Sequence, residues 1–106
     1  MKIELLSNFT KGWFIGDFTP TLVATPHAEV GIKTYRAGDS ESPHHHQIAT
    51  ELTAVVSGRV VMGGRTLTAG QIAIIEPGES TGFEALEDSV TVVVKVPCVK
   101  DDKYID

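Results

Sequence analysis

The sequence predicts an all-β domain, a sandwich or barrel of short strands. Three observations lead there. Apolar residues come in short β-branched runs rather than at the three-and-four spacing of a helix. Glycine, proline and acidic residues interrupt the runs, as in Ala37-Gly38-Asp39, Ser57-Gly58, Ala69-Gly70 and Pro77-Gly78. The runs recur at intervals of about 8 to 12 residues, the spacing of an antiparallel sandwich or barrel.

Taken in order, the strands expected are Thr21–Thr25, Glu29–Arg36, Glu51–Ser57, Arg59–Met62, Arg65–Thr68, Gln71–Glu76, Thr81–Leu86 and Ser89–Val96. Gly63-Gly64 between VVM and RTL is a two-residue hairpin signal, because both glycines take positive φ without steric cost. Residues 1–20 carry Trp13, Phe14 and Phe18 among glycines and read as an ordered lead-in that packs on the barrel, with Trp13 and Phe14 as core or dimer anchors in preference to substrate stackers. Residues 98–106 read as a polar C-terminal arm or frayed end. There is no internal repeat or linker, so residues 1–106 are expected to form one domain, a length sufficient to bury a core unaided.

Composition narrows the function classes. Net charge is -5, and the nine Lys and Arg residues are scattered along the sequence, which argues against a nucleic-acid partner. No segment has the length of a membrane span, and Glu4, Ser7 and Asn8 interrupt the stretch a signal peptide would keep apolar. The single cysteine, Cys98, allows no internal disulfide and fits a reducing compartment, so the expected location is the cytoplasm.

The most informative cluster is His44-His45-His46 followed by Glu51. On an extended strand His44 and His46 point one way and His45 the other. A turn through residues 47–50 then returns Glu51 beside them on the next strand. Two imidazoles and a carboxylate suit a divalent transition metal (Fe, Mn, Ni or Zn) and leave coordination positions open. A solvated or adventitiously binding histidine run is the competing reading.

Gly38, five residues, His44-x-His46, four residues, Glu51, six residues and Gly58 together resemble the first motif of the cupin superfamily. Gly70, QIAIIE and Pro77-Gly78-Glu79, with Phe83 beyond, resemble its second motif in outline. The resemblance implies a small, single-domain cupin, a double-stranded β-helix (jelly-roll barrel) that binds a small molecule and pairs as a homodimer. It also implies metal ligands at His44, His46 and Glu51. The second motif departs from the pattern. Thr81 stands where the family places a fourth ligand, a histidine, while Ala85 replaces an asparagine and Glu76 a proline. The site expected is therefore a three-ligand one, or a remnant that has lost its metal.

Around it, Thr81 and Phe83 are candidate pocket residues, and Glu76 is a conceivable extra ligand or general base against an ordinary surface carboxylate. Taking Thr81 as inward makes Phe83 and Ala85 inward and Glu84 outward. Alternation on the last long strand puts Val92, Val94 and Val96 inside, with Val93 and Lys95 outside. Lys33 and Tyr35 share a face of their strand, and sequence leaves open whether it is the inner one; if inner, they offer a cation and an acid. His45 and His27 read as surface residues. Three functions follow from the resemblance: a metal-dependent enzyme of oxygenase or isomerase type acting on a small polar metabolite, a non-catalytic carbohydrate- or metabolite-binding barrel, and a metal-free sugar isomerase or epimerase with Tyr35 opposite His44 or His46.

Overall fold

The computed structural model describes residues 1–106. Ten strands form: β1 (Trp13–Ile15), β2 (Glu29–Tyr35), β3 (Ser40–His45), β4 (Thr50–Ser57), β5 (Arg59–Met62), β6 (Arg65–Thr68), β7 (Ile72–Ile75), β8 (Thr81–Ala85), β9 (Ser89–Val96) and β10 (Tyr104–Ile105). They make two antiparallel five-stranded sheets, ordered β1-β2-β9-β4-β7 and β10-β3-β8-β5-β6. Two 3-10 turns, Leu6–Asn8 and Thr10–Gly12, precede β1. No helix is long and apolar enough to cross a membrane.

The β5–β6 hairpin closes through Gly63 and Gly64 at φ 55° and 74°, the pair of left-handed residues a type I′ turn demands. Gly58 is fixed for a different reason. Its φ is +89°, and a Cβ there would lie 2.2 Å from the Ser89 hydroxyl, which accepts from Arg59 N–H and joins the β4–β5 turn to β9.

Three segments differ from expectation. Residues 21–25 form no strand and make one isolated bridge, Val23 to Ile15, while Trp13–Ile15 is a strand paired with β2. The segment carrying the histidines is itself a strand, β3, despite the Pro43 within it. The C-terminal arm is not frayed: Tyr104 and Ile105 pair with His45 and His44, and Asp102 is 5% exposed.

The apolar core of Val55, Val60, Met62, Ile75, Phe83 and Ala85 fills one end of the barrel. The other end is polar inside. Register fixes which face is which, since Glu51 lies across from Ile75 and Lys95, and Thr91 lies across from Val55 and Lys33. Thr91, Val93 and Lys95 therefore face the interior, and Val92, Val94 and Val96 face out, the reverse of the expected orientation. The alternation is real, but the usual apolar-inside rule fails on this sheet because its inner face carries the polar side chains. Its outer face carries Val30, Ile32, Leu52, Ile72, Ile74, Val92 and Val94, with Ile74 62% exposed.

Candidate functional site

A cavity of about 260 Å³ opens between the sheets at the polar end, with the core residues Met62 and Phe83 among its lining. Strand β3 delivers His44 to its wall, and β4 delivers Glu51 and Thr53. Thr81 is the register partner of His44 across the β3–β8 pair and also lines the cavity, as does Phe83. Position 81 is thus where a further donor would face His44, and its hydroxyl instead donates to the Gly82 carbonyl at 3.0 Å.

His46 lies just past the end of β3 and is 5% exposed. Its Nδ1–H donates to the Asp102 backbone carbonyl at 2.8 Å, which leaves Nε2 with its lone pair free. That Nε2 is buried without a hydrogen-bond partner and sits 3.5 Å from Glu51 Oε1. His44 repeats the arrangement, since its Nδ1 lies 3.0 Å from the Ser42 carbonyl and Nε2 is again the free nitrogen. The two rings meet edge to face with centres 5.5 Å apart. A carbonyl on the remote nitrogen is the usual way a protein orients a ligating imidazole.

The loop that carries His46 is held by the C-terminal arm. The Asp102 carboxylate accepts backbone N–H groups from Gln47, Ile48 and Ala49 at 3.0–3.2 Å. Burial pushes the Asp102 carboxyl up, and these three donors more than offset it, so the group is held below the usual carboxylate range. Gly78 N–H donates to the His46 carbonyl at 2.7 Å from the other side.

Glu51 is 9% exposed. Burial alone would raise its carboxyl, but His46, the Lys95 charge and the Thr53 hydroxyl at 3.2 Å bring it below the usual range. His46 shifts up, chiefly through Glu51, against the opposing effect of burial. The close pair is therefore His46 with Glu51, with His44 next to it. No three His, Cys, Asp or Glu side chains, His44, His46 and Glu51 included, converge closely enough as they stand to hold a metal ion.

The remaining candidates separate cleanly. Lys33 and Tyr35 both face the cavity. Burial drives the Tyr35 hydroxyl well above its ordinary value, helped by Glu41 and Glu51, and its ring tilts over Phe83 at 4.3 Å. Burial lowers Lys33 against the pull of Glu41, and its ammonium donates to the Lys11 carbonyl at 2.6 Å. Glu76 is exposed beyond the end of β7 and does not line the cavity, which removes it as an extra ligand or base there. His45 points away, bonded to Asp106 at 2.7 Å and stacked on Tyr104. His27 is exposed.

Sequence reasoning missed Asp102 and Lys103, favoured the core or a dimer contact for Trp13, and turned Lys95 outward. Trp13 lines the cavity rather than the core, because Gly31 opposite it has no side chain and the ring occupies the space of the missing Cβ. No sequence signal marks Asp102 or Lys103, since both reach the site only through the path of the C-terminal arm.

No protein-family model matches the chain, and no curated protein sequence matches it. Solved structures do. A conserved protein from Klebsiella pneumoniae with a double-stranded β-helix domain shares 25% identity over 76% of this chain and 71% of its own, with a TM-score of 0.70. KdgF from Halomonas sp. shares 27% identity over 73% of this chain and 74% of its own, with a TM-score of 0.66. The DMSP lyase DddQ from Ruegeria pomeroyi superposes over 88% of this chain and 49% of its own at TM-score 0.72, and at 16% identity that likeness concerns the fold alone. Two antiparallel sheets, these neighbours and the motif glycines and histidines agree: the protein is a small protein of the cupin fold, a double-stranded β-helix.

Proposed function

We propose that the protein is a metal-dependent enzyme of the cytoplasm that acts on a small polar metabolite, with a divalent transition metal (Fe, Mn, Ni or Zn) held by His44, His46 and Glu51. The observation that carries this reading is the buried, unpartnered Nε2 of His46, aimed at Glu51 and held in that tautomer by the Asp102 carbonyl. At that depth the nitrogen and the carboxylate oxygen 3.5 Å away are joined either by a proton on Nε2 or by a cation they share. The donor types suit such a metal, two imidazoles presenting Nε2 and one ionised carboxylate, although the three side chains would have to draw together around it.

A metal held there would supply polarisation of a carbonyl or hydroxyl oxygen. The chain's own residues do the rest. Met62, Phe83 and Val93 keep part of the lining apolar, Tyr35 stays protonated as a donor, and Lys33 and Lys95 place positive charge beside the substrate. Thr81 leaves the position across from His44 open.

Metal analysis of the untagged protein tests the reading, alongside His44→Ala and Glu51→Ala. Stoichiometric metal that both variants lose is the expected result. A parent protein without metal, and without uptake of Mn(II), Fe(II), Ni(II) or Zn(II) on titration, would sink it. The second reading, a metabolite-binding barrel without catalysis, is favoured by the Thr81 hydroxyl being tied to its own backbone instead of facing a metal. We further propose a homodimer formed through the outer face of the β1-β2-β9-β4-β7 sheet. That face presents no charged side chain from β9, β4 or β7, so its natural complement is an equally apolar surface, a second copy.

A further inference from the structure

Four of the nine cationic side chains, Lys11, Lys33, Lys95 and Lys103, line the one cavity that holds His44 and Glu51. Against them the lining offers Glu41 and Glu51, so four positive and two negative charges leave the cavity at +2 in a chain of net charge -5. None of the four ammoniums makes an ion pair, whereas Lys100 outside the cavity pairs with Asp17 at 3.9 Å. The Lys33 and Lys95 ammoniums both lie over the Trp13 ring, 4.9 and 5.0 Å from its centre. These residues come from the lead-in, β2, β9 and the C-terminal arm, so the fold gathers charges that are scattered in the sequence.

Two further observations point to a ligand. The Thr91 hydroxyl is fully buried on this wall and has no hydrogen-bond partner. Burial depresses the Lys33 ammonium most, and the other three lysines each lower it further against the pull of Glu41, so the cations outnumber the anions around it. A concave site lined by one sign of charge raises the local concentration of the opposite one.

We propose that the cavity binds a small organic oxyanion, a carboxylate or phosphate ester, with its charged end among Lys33, Lys95 and Lys103 and its body against Trp13. Its volume of about 260 Å³ lies below the roughly 300–1,000 Å³ of drug-sized sites, which limits the ligand to a few carbon atoms. The inference rests on the reading that this cavity is the functional site, but it does not depend on a metal.

Trp13 is the sole tryptophan, so its fluorescence reports the cavity directly. The test titrates chelator-treated protein with malonate, succinate, lactate, inorganic phosphate and neutral erythritol. Saturable change with one or more of the anions, weakened by salt and absent with erythritol, is expected, and the anion preferred separates carboxylate from phosphate. Lys95→Met and Lys103→Met should each weaken binding about fivefold to tenfold, while Lys100→Met leaves it unchanged. Lys103 is exposed, so its variant folds whatever happens at the buried positions. Erythritol binding as well as the anions, no saturable response to any anion, or affinity indifferent to Lys95 and Lys103 overturns the proposal. Anion binding by a protein that takes up no metal sinks the metal reading alone; metal uptake without anion binding sinks this one alone.

Discussion

The Nδ1–H of His46 donates to the backbone carbonyl of Asp102 at 2.8 Å, joining the end of β3 to an arm 56 residues further along the chain. The same residue's carboxylate satisfies three consecutive N–H groups of the His46 loop. Asp102 therefore acts on the site as a positioning residue. Asp102→Ala removes the acceptor and leaves the loop amides short of partners, at a cost of about 3 kcal/mol. Calorimetry should show a fall in Tm of about 12 °C or more. Asp102→Asn keeps one oxygen and should lose less. Because the carbonyl belongs to the backbone, both variants retain a partner for His46, and metal affinity should fall only through loosening of the loop.

The Asp102 carboxyl also sets an acid limit. Its folded-state pKa is depressed, so the stability it contributes is fully present above its unfolded value near 3.8 and is lost as pH falls through the folded value. Urea midpoints of the wild type and Asp102→Asn, followed from pH 6 down to pH 2.5, should stay a constant distance apart above about pH 4 and converge below it. A gap that persisted at the lowest pH would show that the carboxylate charge is not what stabilises the loop.

Trp13 reaches the cavity because of Gly31. A Cβ on Gly31 would stand 2.8 Å from the Trp13 ring, so Gly31→Ala must displace the indole. Overpacking of this kind costs about 1–3 kcal/mol. The displaced ring leaves its place against the Lys33 and Lys95 ammoniums, so the emission maximum should shift along with the loss of stability. An unchanged spectrum would mean that the ring does not rest on Gly31 in solution.

Most of the strands were legible in the sequence, and three of them, Arg59–Met62, Arg65–Thr68 and Ser89–Val96, fall where the residues predict. Local chemistry decides those: β-branched runs ended by glycine turns. Facing was harder. Inward Thr81, Phe83 and Ala85 followed from the motif, but β9 was turned over because Val92 and Val94 look like core while Thr91 and Lys95 look like surface. A cavity lined with polar groups inverts that inference. The facing of the histidines was readable, with His45 outward against Asp106 and the His44 and His46 rings meeting edge to face, because strand alternation is local. Asp102, Trp13 and Lys103 were not, since their places depend on long-range pairing of the lead-in and the arm.

That same inversion predicts the behaviour of the outer face. Ile72 and Ile74 on β7 are 61% and 62% exposed, and Leu52, Val92 and Val94 extend the apolar surface inward from them across β4 and β9. A sheet face this apolar either associates or aggregates. If two copies pair through it, Ile74→Glu places two carboxylates in the interface and should convert the dimer to monomer, read as a halved mass in light scattering. Ile74 touches solvent in the single chain, so the isolated monomer should keep its fold and its Trp13 fluorescence. A parent protein that is monomeric at high micromolar concentration would overturn the pairing, and a variant that stays dimeric would move the interface elsewhere. The apolar face and the polar cavity lie on opposite sides of one sheet, so monomeric Ile74→Glu should still bind anions with the parent's affinity.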